Sequence, residues 1–308
     1  MARHYGIPYM VSKQKLVDKI VPFILKRHPG VDSFYDLFGG GGSVSLYVVR
    51  KYPNLNVHYN ELSKAIGSLM EHLKEGGDIP FDFVERQEFD SKRLGDDWYA
   101  GFLQSCWSFG NGGKSYMYGQ DIQDLKREIS LLAMTGKADI DFIESECEKQ
   151  LERRGIKKQC RVFLNPQRYK TVYQRRIVLA RQIPNFGALQ HMARLERLVQ
   201  IENMPGISNL NITKGTSYDG VPITGNKPLL YCNPPYEDTA EYLEGGFDHK
   251  KFYDWCMAQP HPVYVSSYKV SDPRFKLVKA VNTRSLLAAA YSDKPTYNYE
   301  NVYWNGVE

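Results

Sequence analysis

Asn233 to Tyr236 combine side-chain types and a spacing that could orient an amino group for chemistry. Pro234 and Pro235 lack backbone N–H groups and hold φ near about −65°, so the segment predicts a rigid corner after an apolar stretch. The amide oxygen of Asn233 and a neighbouring carbonyl can both accept hydrogen bonds from one exocyclic amino group. The Tyr236 ring can stack on the planar ring that carries this group. The alternative is a proline-rich surface turn.

A glycine-rich turn forms a second candidate site. The apolar segment 31–38 predicts a buried strand, and Gly39 to Gly42 lead from it into a helix-like stretch from Val44 to Val49. Strand, glycine turn and helix open a nucleotide-binding α/β fold, since glycine lets a ligand approach the backbone closely. Asp36 precedes the turn, where its carboxylate would repel a pyrophosphate but could pair with a cationic amino group. A simple tight turn is the alternative, and the missing Gly-Lys-Ser/Thr argues against a P-loop.

Two further polar residues lie near predicted element ends. Glu61 ends the predicted strand 56–61, about 25 residues after Asp36, a position suited to ribose hydroxyls or to a surface carboxylate. Lys13 follows Ser12, the predicted N-cap of a helix that Pro22 should kink or split. A lysine there is either solvated or holds an anion or a carbonyl.

The bulk composition is that of a globular protein. The 308 residues are 42% hydrophobic and 24% charged, and no apolar run approaches the roughly 18 residues of a membrane-spanning helix. The N-terminal sequence has no signal-peptide core, which predicts a cytoplasmic protein. The five cysteines are scattered without a Cys-x-x-Cys pair, so free thiols are expected and no metal site is predicted.

Together, these motifs resemble one family. Asp36-x-Phe38-x-Gly40-x-Gly42, followed much later by Asn233-Pro-Pro-Tyr, resembles the Dam-like DNA adenine-N6 methyltransferases, including phage-borne members. Tyr9-Met10-Val11-Ser12-Lys13 is similar to their N-terminal motif, in which an aromatic residue and a lysine contact S-adenosylmethionine. The resemblance covers roughly residues 7–70 and 210–308. Tyr9 stands where the best-known members have Trp, and Asn233 stands where Asp is more common.

The resemblance implies a fold, a cofactor and a set of site residues. The implied fold is α/β, with a Rossmann-like class I methyltransferase sheet formed by residues 1–70 and 209–308. Residues 71–208 would form an inserted, mainly helical target-recognition domain. The catalytic residues would be Asn233, Pro234, Pro235 and Tyr236, and no metal is needed. S-adenosylmethionine would be held by Tyr9, Lys13, Asp36, Phe38, Gly39, Gly40, Glu61, Ser217, Tyr218 and Asn233.

The middle of the chain is strongly basic. Residues 151–200 contain twelve Lys and Arg residues and two acids, which favours a polyanion partner over a solvated charged face. The segment 108–115 nearly spells a P-loop, but Ser108 replaces the first glycine, so a DNA-contacting loop flanked by Trp107, Phe109, Tyr116 and Tyr118 is expected instead. Helical patterns predict helices over 121–134 and 140–151 and, later in the chain, over 247–256. Chain breaks are predicted at Pro184 and at Pro205-Gly206. The residues predicted to contact DNA are Lys114, Arg153, Arg154, Lys157, Lys158, Arg168, Lys170, Arg175 and Arg176.

The expected function is methyl transfer from S-adenosylmethionine to N6 of adenine in double-stranded DNA, with base flipping. One alternative is a different amino acceptor, namely cytosine N4, RNA adenine or a protein glutamine. The other is a non-catalytic DNA-binding protein on a methyltransferase scaffold. Neither the recognition sequence nor the oligomeric state follows from the sequence.

Overall fold

The structure is a computed structural model that describes residues 6–9, 12–165, 167–183, 185–237, 246–284 and 297–308. Met10, Val11 and Pro184, which carried sequence predictions, lie outside these residues. Within the described ranges the fold is α/β, as predicted, and compatible with a Rossmann-like fold. Its strands are β1 (Ser33–Asp36), β2 (Asn56–Glu61), β3 (Leu210–Lys214), β4 (Pro228–Cys232), β5 (Val263–Ser267), β6 (Lys276–Arg284) and β7 (Tyr297–Trp304). Its α-helices are α1 (Val17–Arg27), α2 (Ser43–Lys51), α3 (Lys64–Lys74), α4 (Arg86–Lys92), α5 (Trp98–Cys106), α6 (Gln123–Thr135), α7 (Ile140–Arg153), α8 (Val172–Gln182), α9 (Gln190–Glu202) and α10 (His249–Ala258).

The strands form one mostly parallel sheet in the order β3-β2-β1-β4-β5-β7-β6. The first five strands in this order run parallel to one another, whereas β7 runs antiparallel to both β5 and β6. Phe34 in the centre of β1 pairs with Val57 on one side and with Leu229 on the other. All of β1, β4 and β5 is buried, as expected for strands covered on both faces. The carboxyl ends of β1, β2 and β4 therefore meet at one edge of the sheet.

The chain divides into two compact units. The sheet unit is drawn from the described parts of Met1–Gly77, Gly95–Phe102 and Gln200–Glu308, and the helical unit from those of Asp78–Leu94 and Leu103–Val199. Residues 71–77, 95–102 and 200–208, which the predicted boundaries assigned to the inserted segment, thus belong to the sheet unit. One reason is that α3 continues past residue 70 to Lys74. Another is that a Cβ on Gly101 would lie 2.2 Å from the carbonyl oxygen of Ala65, a close backbone contact that no sequence pattern reveals.

The helical unit has an apolar core of its own. Residues from α6, α7, α8 and α9 bury their apolar faces together, among them Leu125, Ile143, Leu179 and Met192. The predicted helices over 121–134 and 140–151 correspond to α6 and α7. None of the described helices combines the length and the apolar character that crossing a membrane requires.

The first helix differs from its prediction. Ser12 accepts the Gln14 N–H and so caps a short 3-10 helix, Lys13–Lys15, while α1 begins at Val17. Pro22 does not split α1, which continues to Arg27. Burial of Ile20, Val21 and Ile24 on the core side of the helix accounts for this, because packing offsets the hydrogen bond that proline cannot make.

Candidate active-site cleft

A cleft of about 310 Å³ opens at the carboxyl ends of the central strands. The chain moves from β1 outward to β3 and returns on the other side of β1 with β4, and open α/β sheets bind ligands where the strand order reverses in this way. All ten residues predicted to hold a cofactor line this cleft: Tyr9, Lys13, Asp36, Phe38, Gly39, Gly40, Glu61, Ser217, Tyr218 and Asn233. Residues that sequence reasoning missed also line it, among them Asn60, Leu62, Thr216, Phe247, Asp248 and Lys251.

The floor of the cleft is the glycine turn between β1 and α2. Gly40 and Gly42 have φ values of +49° and +73°, which side chains other than glycine rarely adopt. A Cβ on Gly39 would lie 2.2 Å from the Tyr59 ring, so the turn also needs glycine for space. The Tyr59 hydroxyl donates to the Gly40 carbonyl at 2.6 Å, and the Gly39 N–H donates to the Asn60 carbonyl at 2.8 Å. The turn is therefore held open and rigid by β2.

Asp36 is buried and bound to the start of α2. One of its carboxylate oxygens accepts the Ser45 N–H at 3.2 Å and the Ser45 hydroxyl at 2.7 Å. Burial raises the pKa of Asp36 to about 6, against the lowering effect of the Ser45 hydrogen bonds. From the sequence, the Asp36 carboxylate was expected to pair with a cationic group. The structure puts it in the cleft lining and gives it this additional bond to α2.

Glu61 and Asn60 end β2 and carry acceptor oxygens at the cleft. Glu61 accepts the Gly40 N–H at 2.6 Å and the Ser63 N–H at 2.9 Å, so its carboxylate is fixed by backbone groups. Asn60 donates to the Leu37 and Thr216 carbonyls at 3.1 and 3.0 Å, which fixes the orientation of its amide. Within the described part of the chain, the buried Oδ1 of Asn60 has no hydrogen-bond partner. A ligand donor would satisfy it.

An aromatic cluster bounds the cleft on the side of β3 and α10. Phe38 stacks on Tyr218 with ring centroids 5.5 Å apart, and Phe247 and Phe252 meet Phe38 edge-on. Ser217 and Tyr218, both predicted to hold a cofactor, therefore lie where an apolar or planar ligand group would be accommodated.

The predicted catalytic corner follows β4 directly. Asn233 and Pro235 line the cleft. Among the described residues, the buried Oδ1 of Asn233 has no hydrogen-bond partner, as for Asn60. Two unsatisfied amide oxygens in one cleft are unusual for a purely structural site, because buried acceptors are normally paired.

The hydroxyl of Tyr236 is bound by a buried polar cluster. This hydroxyl accepts a hydrogen bond from Lys13 and donates to Glu300, whose oxygen lies 3.0 Å away. Lys13 and Glu300 form an ion pair at 2.9 Å, and the Ser266 hydroxyl donates to Glu300 at 2.6 Å. Burial lowers the pKa of Lys13, opposed by the charge of Glu300, and burial together with Glu300 raises that of Tyr236. The phenol is thus uncharged across the physiological range.

This arrangement changes the expectation for Tyr236. From the sequence, the Tyr236 ring was expected to face the substrate. In the structure Tyr236 is only 8% exposed and is not part of the cleft lining. Its ring lies instead against the ring of Tyr268, with centroids 4.4 Å apart. The cause is the buried Lys13–Glu300 pair, which binds the hydroxyl and draws the ring inward.

The basic residues of the helical unit fall into two groups. Seven of the nine predicted DNA contacts are exposed, namely Lys114, Arg153, Arg154, Lys157, Lys158, Arg168 and Lys170. Arg175 is buried and donates to the carbonyls of Ala133, Met134, Tyr169 and Lys170, so it ties the end of α6 to α8 rather than facing a polyanion. Arg176 is paired with Glu196 at 2.8 Å.

The aromatic residues around the 108–115 loop also differ from expectation. Trp107, Tyr116 and Tyr118 were expected to flank a DNA-contacting loop, but they are buried within the helical unit. Phe109 alone of the four is exposed, at 74%. The apolar character of the buried rings explains this, since they pack on one another and on His191.

Comparison of the chain with protein-family models and with curated proteins found no match.

Proposed function

We propose that the protein transfers the methyl group of S-adenosylmethionine to N6 of adenine in double-stranded DNA. The observation that carries the proposal is the shared cleft of two motifs about 190 residues apart in sequence. The glycine turn after β1 and the Asn-Pro-Pro corner after β4 line the same cleft, and Asn233 brings an unsatisfied oxygen to it. A cofactor bound on the turn would adjoin an amino group bound at the corner.

The residues present fit S-adenosylmethionine. The cleft volume lies at the lower end of the roughly 300–1,000 Å³ of small-molecule sites. Asp36 offers a carboxylate to the cationic amino group, and Glu61 offers one to the ribose hydroxyls. The stacked rings of Phe38 and Tyr218 suit a planar base, and the remaining contacts come from Tyr9, Lys13 and the glycine turn. The cofactor, when bound, supplies an electrophilic methyl group.

Asn233 would orient the acceptor nitrogen. Its Oδ1 and the Pro234 carbonyl accept hydrogen bonds from the adenine amino group, which draws the nitrogen lone pair out of conjugation with the ring. The two prolines hold both acceptors in a fixed geometry, and such alignment supplies much of the rate in group transfer. The adenine must first leave the duplex, at a cost of a few kcal/mol.

The choice of acceptor rests on charge and motif order. Seven exposed cations in the helical unit suit a phosphate backbone and favour nucleic acid over a protein glutamine. The resemblance to the Dam-like enzymes favours adenine in duplex DNA over cytosine N4 or RNA adenine. A non-catalytic DNA-binding protein has no need of two unsatisfied amide oxygens in a cleft.

The testing experiment measures transfer of labelled methyl to mixed-sequence duplex DNA, with the modified nucleoside identified by mass. We expect N6-methyladenine. N4-methylcytosine, or label in RNA or protein, would show that adenine in duplex DNA is not the acceptor and would identify the acceptor instead. Binding of DNA without any transfer would favour the non-catalytic alternative.

The variant Asn233→Ala tests the role of the corner. We expect transfer to fall below detection while S-adenosylmethionine still binds, since the variant removes the amide acceptor and leaves the glycine turn intact. The matched control is Asn233→Asp, which keeps a carbonyl-type oxygen and restores the residue more common in the Dam-like enzymes; it should retain measurable turnover. Turnover by Asn233→Ala close to that of the wild type would overturn the proposed role.

A further inference from the structure

Tyr268 is the exposed aromatic residue beside the corner. It follows β5 directly, and β5 is the parallel neighbour of β4, with Val265 opposite Cys232. Residues that follow the two strands therefore emerge at the same edge of the sheet. The Tyr268 side chain is 46% exposed, whereas that of Tyr236 is 8% exposed.

The rings of Tyr236 and Tyr268 are in contact, but the two residues are held by different hydrogen bonds. Their centroids lie 4.4 Å apart with the ring planes tilted by 50°. The hydroxyl of Tyr236 is bound by Lys13 and Glu300 inside the protein. The backbone of Tyr268 is held as well, because its carbonyl accepts the Asn301 amide at 2.8 Å. Tyr236 is therefore the buried ring of the pair, and Tyr268 is the accessible one.

We infer that Tyr268, rather than Tyr236, provides the aromatic face on which the extruded base stacks. Stacking requires an accessible ring face, and Tyr268 has one at the edge of the sheet where the Asn233 corner lies. The buried Lys13–Glu300 pair fixes Tyr236, and Tyr236 in turn limits the positions open to the Tyr268 ring. The inference rests on the proposed function and adds a substrate-contacting residue to it.

The experiment compares Tyr268→Ala and Tyr268→Phe with a matched control, Tyr299→Ala. Tyr299 lies on β7 and is 53% exposed, so its removal deletes an equally accessible ring of the same unit. Steady-state kcat and KM for duplex DNA are measured together with the Kd for S-adenosylmethionine. Folding of each variant is checked by its urea unfolding midpoint.

We expect Tyr268→Ala to lower kcat/KM for DNA by roughly 5- to 150-fold, the equivalent of the stacking of one base on an aromatic ring. Tyr268→Phe keeps the ring and should stay within about twofold of wild type, as should Tyr299→Ala. The Kd for S-adenosylmethionine should not change in any variant, because Tyr268 is not part of the cleft lining.

The outcomes separate the inference from the proposed function. If wild-type protein transfers no methyl to duplex DNA, the proposed function fails and the inference fails with it. If the wild type is active and Tyr268→Ala behaves like Tyr299→Ala, the inference alone is wrong. A loss in Tyr268→Phe as large as in Tyr268→Ala, or a weaker Kd for S-adenosylmethionine, would also overturn it, since either result points away from ring stacking.

Discussion

At the scale of single residues, Lys13 shows how a buried charge can connect distant parts of the chain. The sequence left open whether this lysine is solvated or holds an anion, and the structure supplies the anion as Glu300 of β7. Two hydroxyls, those of Tyr236 and Ser266, complete the coordination of that carboxylate. A buried pair of this kind is weak evidence for stability, since desolvation offsets its attraction, but it fixes geometry when its hydrogen bonds are satisfied. Here the fixed element is the Asn-Pro-Pro-Tyr corner.

Asp36 should make stability depend on pH in an unusual direction. Its folded-state pKa of about 6 lies above the ordinary pKa of 3.8 for an aspartate, so the folded state binds the proton more tightly than the unfolded state. The stability contributed by protonated Asp36 is present below about pH 4 and is lost as the pH rises through about 6. Between pH 4 and 7 this amounts to about 3 kcal/mol, at 1.36 kcal/mol per unit of pKa.

The variant Asp36→Asn tests this directly. Its unfolding free energy in urea should rise relative to that of the wild type by about 3 kcal/mol between pH 4 and pH 7. Asp18→Asn, a change at an exposed carboxylate of α1, is the control and should follow the wild type at both pH values. Parallel pH profiles for wild type and Asp36→Asn would show that burial of Asp36 has no such cost.

The family resemblance and the strand ends together were enough to predict nearly half of the cleft lining. All ten residues that the resemblance implied for a cofactor lie there, and for those at strand ends the reason is that parallel strands bring such positions together. Asn60 was missed although it precedes Glu61, because an isolated Asn gives no signal of its own. Glu300 and Tyr268 were missed because their roles depend on contacts far away in sequence, with Lys13 and with Tyr236 respectively.

At the scale of elements, the turn between β1 and α2 depends on space as much as on backbone conformation. Gly39→Ala places a Cβ 2.2 Å from the Tyr59 ring and 2.9 Å from the Asn60 carbonyl oxygen, so the turn or β2 must shift. We expect a loss of about 1–3 kcal/mol in unfolding free energy, typical of overpacking, and weaker binding of S-adenosylmethionine by isothermal calorimetry. Gly220→Ala is the control, because its nearest neighbour lies at 3.2 Å on the flexible Thr216 side chain. Equal behaviour of the two variants would contradict the steric argument.

Element types followed from the sequence more faithfully than element limits. The strand 31–38 is shorter in the structure, Ser33–Asp36, and the helix predicted over 247–256 is α10, His249–Ala258. The uninterrupted course of α1 through Pro22 was not predicted, since it depends on a packed face that a local rule for proline does not include. The limits of the two units were also displaced, because contacts such as that between Gly101 and Ala65 link segments far apart in sequence.

At the scale of the whole molecule, the charge pattern predicts how the proposed binding of DNA depends on salt. Each exposed cation that neutralises a phosphate contributes about 0.9 to the slope of log K against log salt concentration. The double variant Lys157→Ala, Lys158→Ala should therefore lower the magnitude of the slope by about 1.8, as measured by fluorescence anisotropy of a labelled duplex at 50–300 mM salt. Arg176→Ala should leave the slope unchanged, because Arg176 is paired with Glu196. If both variants changed the slope equally, the number of basic residues, and not their exposure to solvent, would govern binding.

The pairing of β1 with strands far apart in sequence has a consequence for folding of the chain during its synthesis. Phe34 pairs with Val57, which follows it closely, but also with Leu229. At the usual rate of about 5–20 residues per second, translation delivers that second partner on the order of 10–40 s after Phe34 has been made. A nascent chain therefore carries an incomplete sheet in which the buried strand β1 has one open edge, and such edges pair readily with other chains. The protein should depend on chaperones during this interval, and slow pairing of distant strands should limit its refolding after dilution from denaturant.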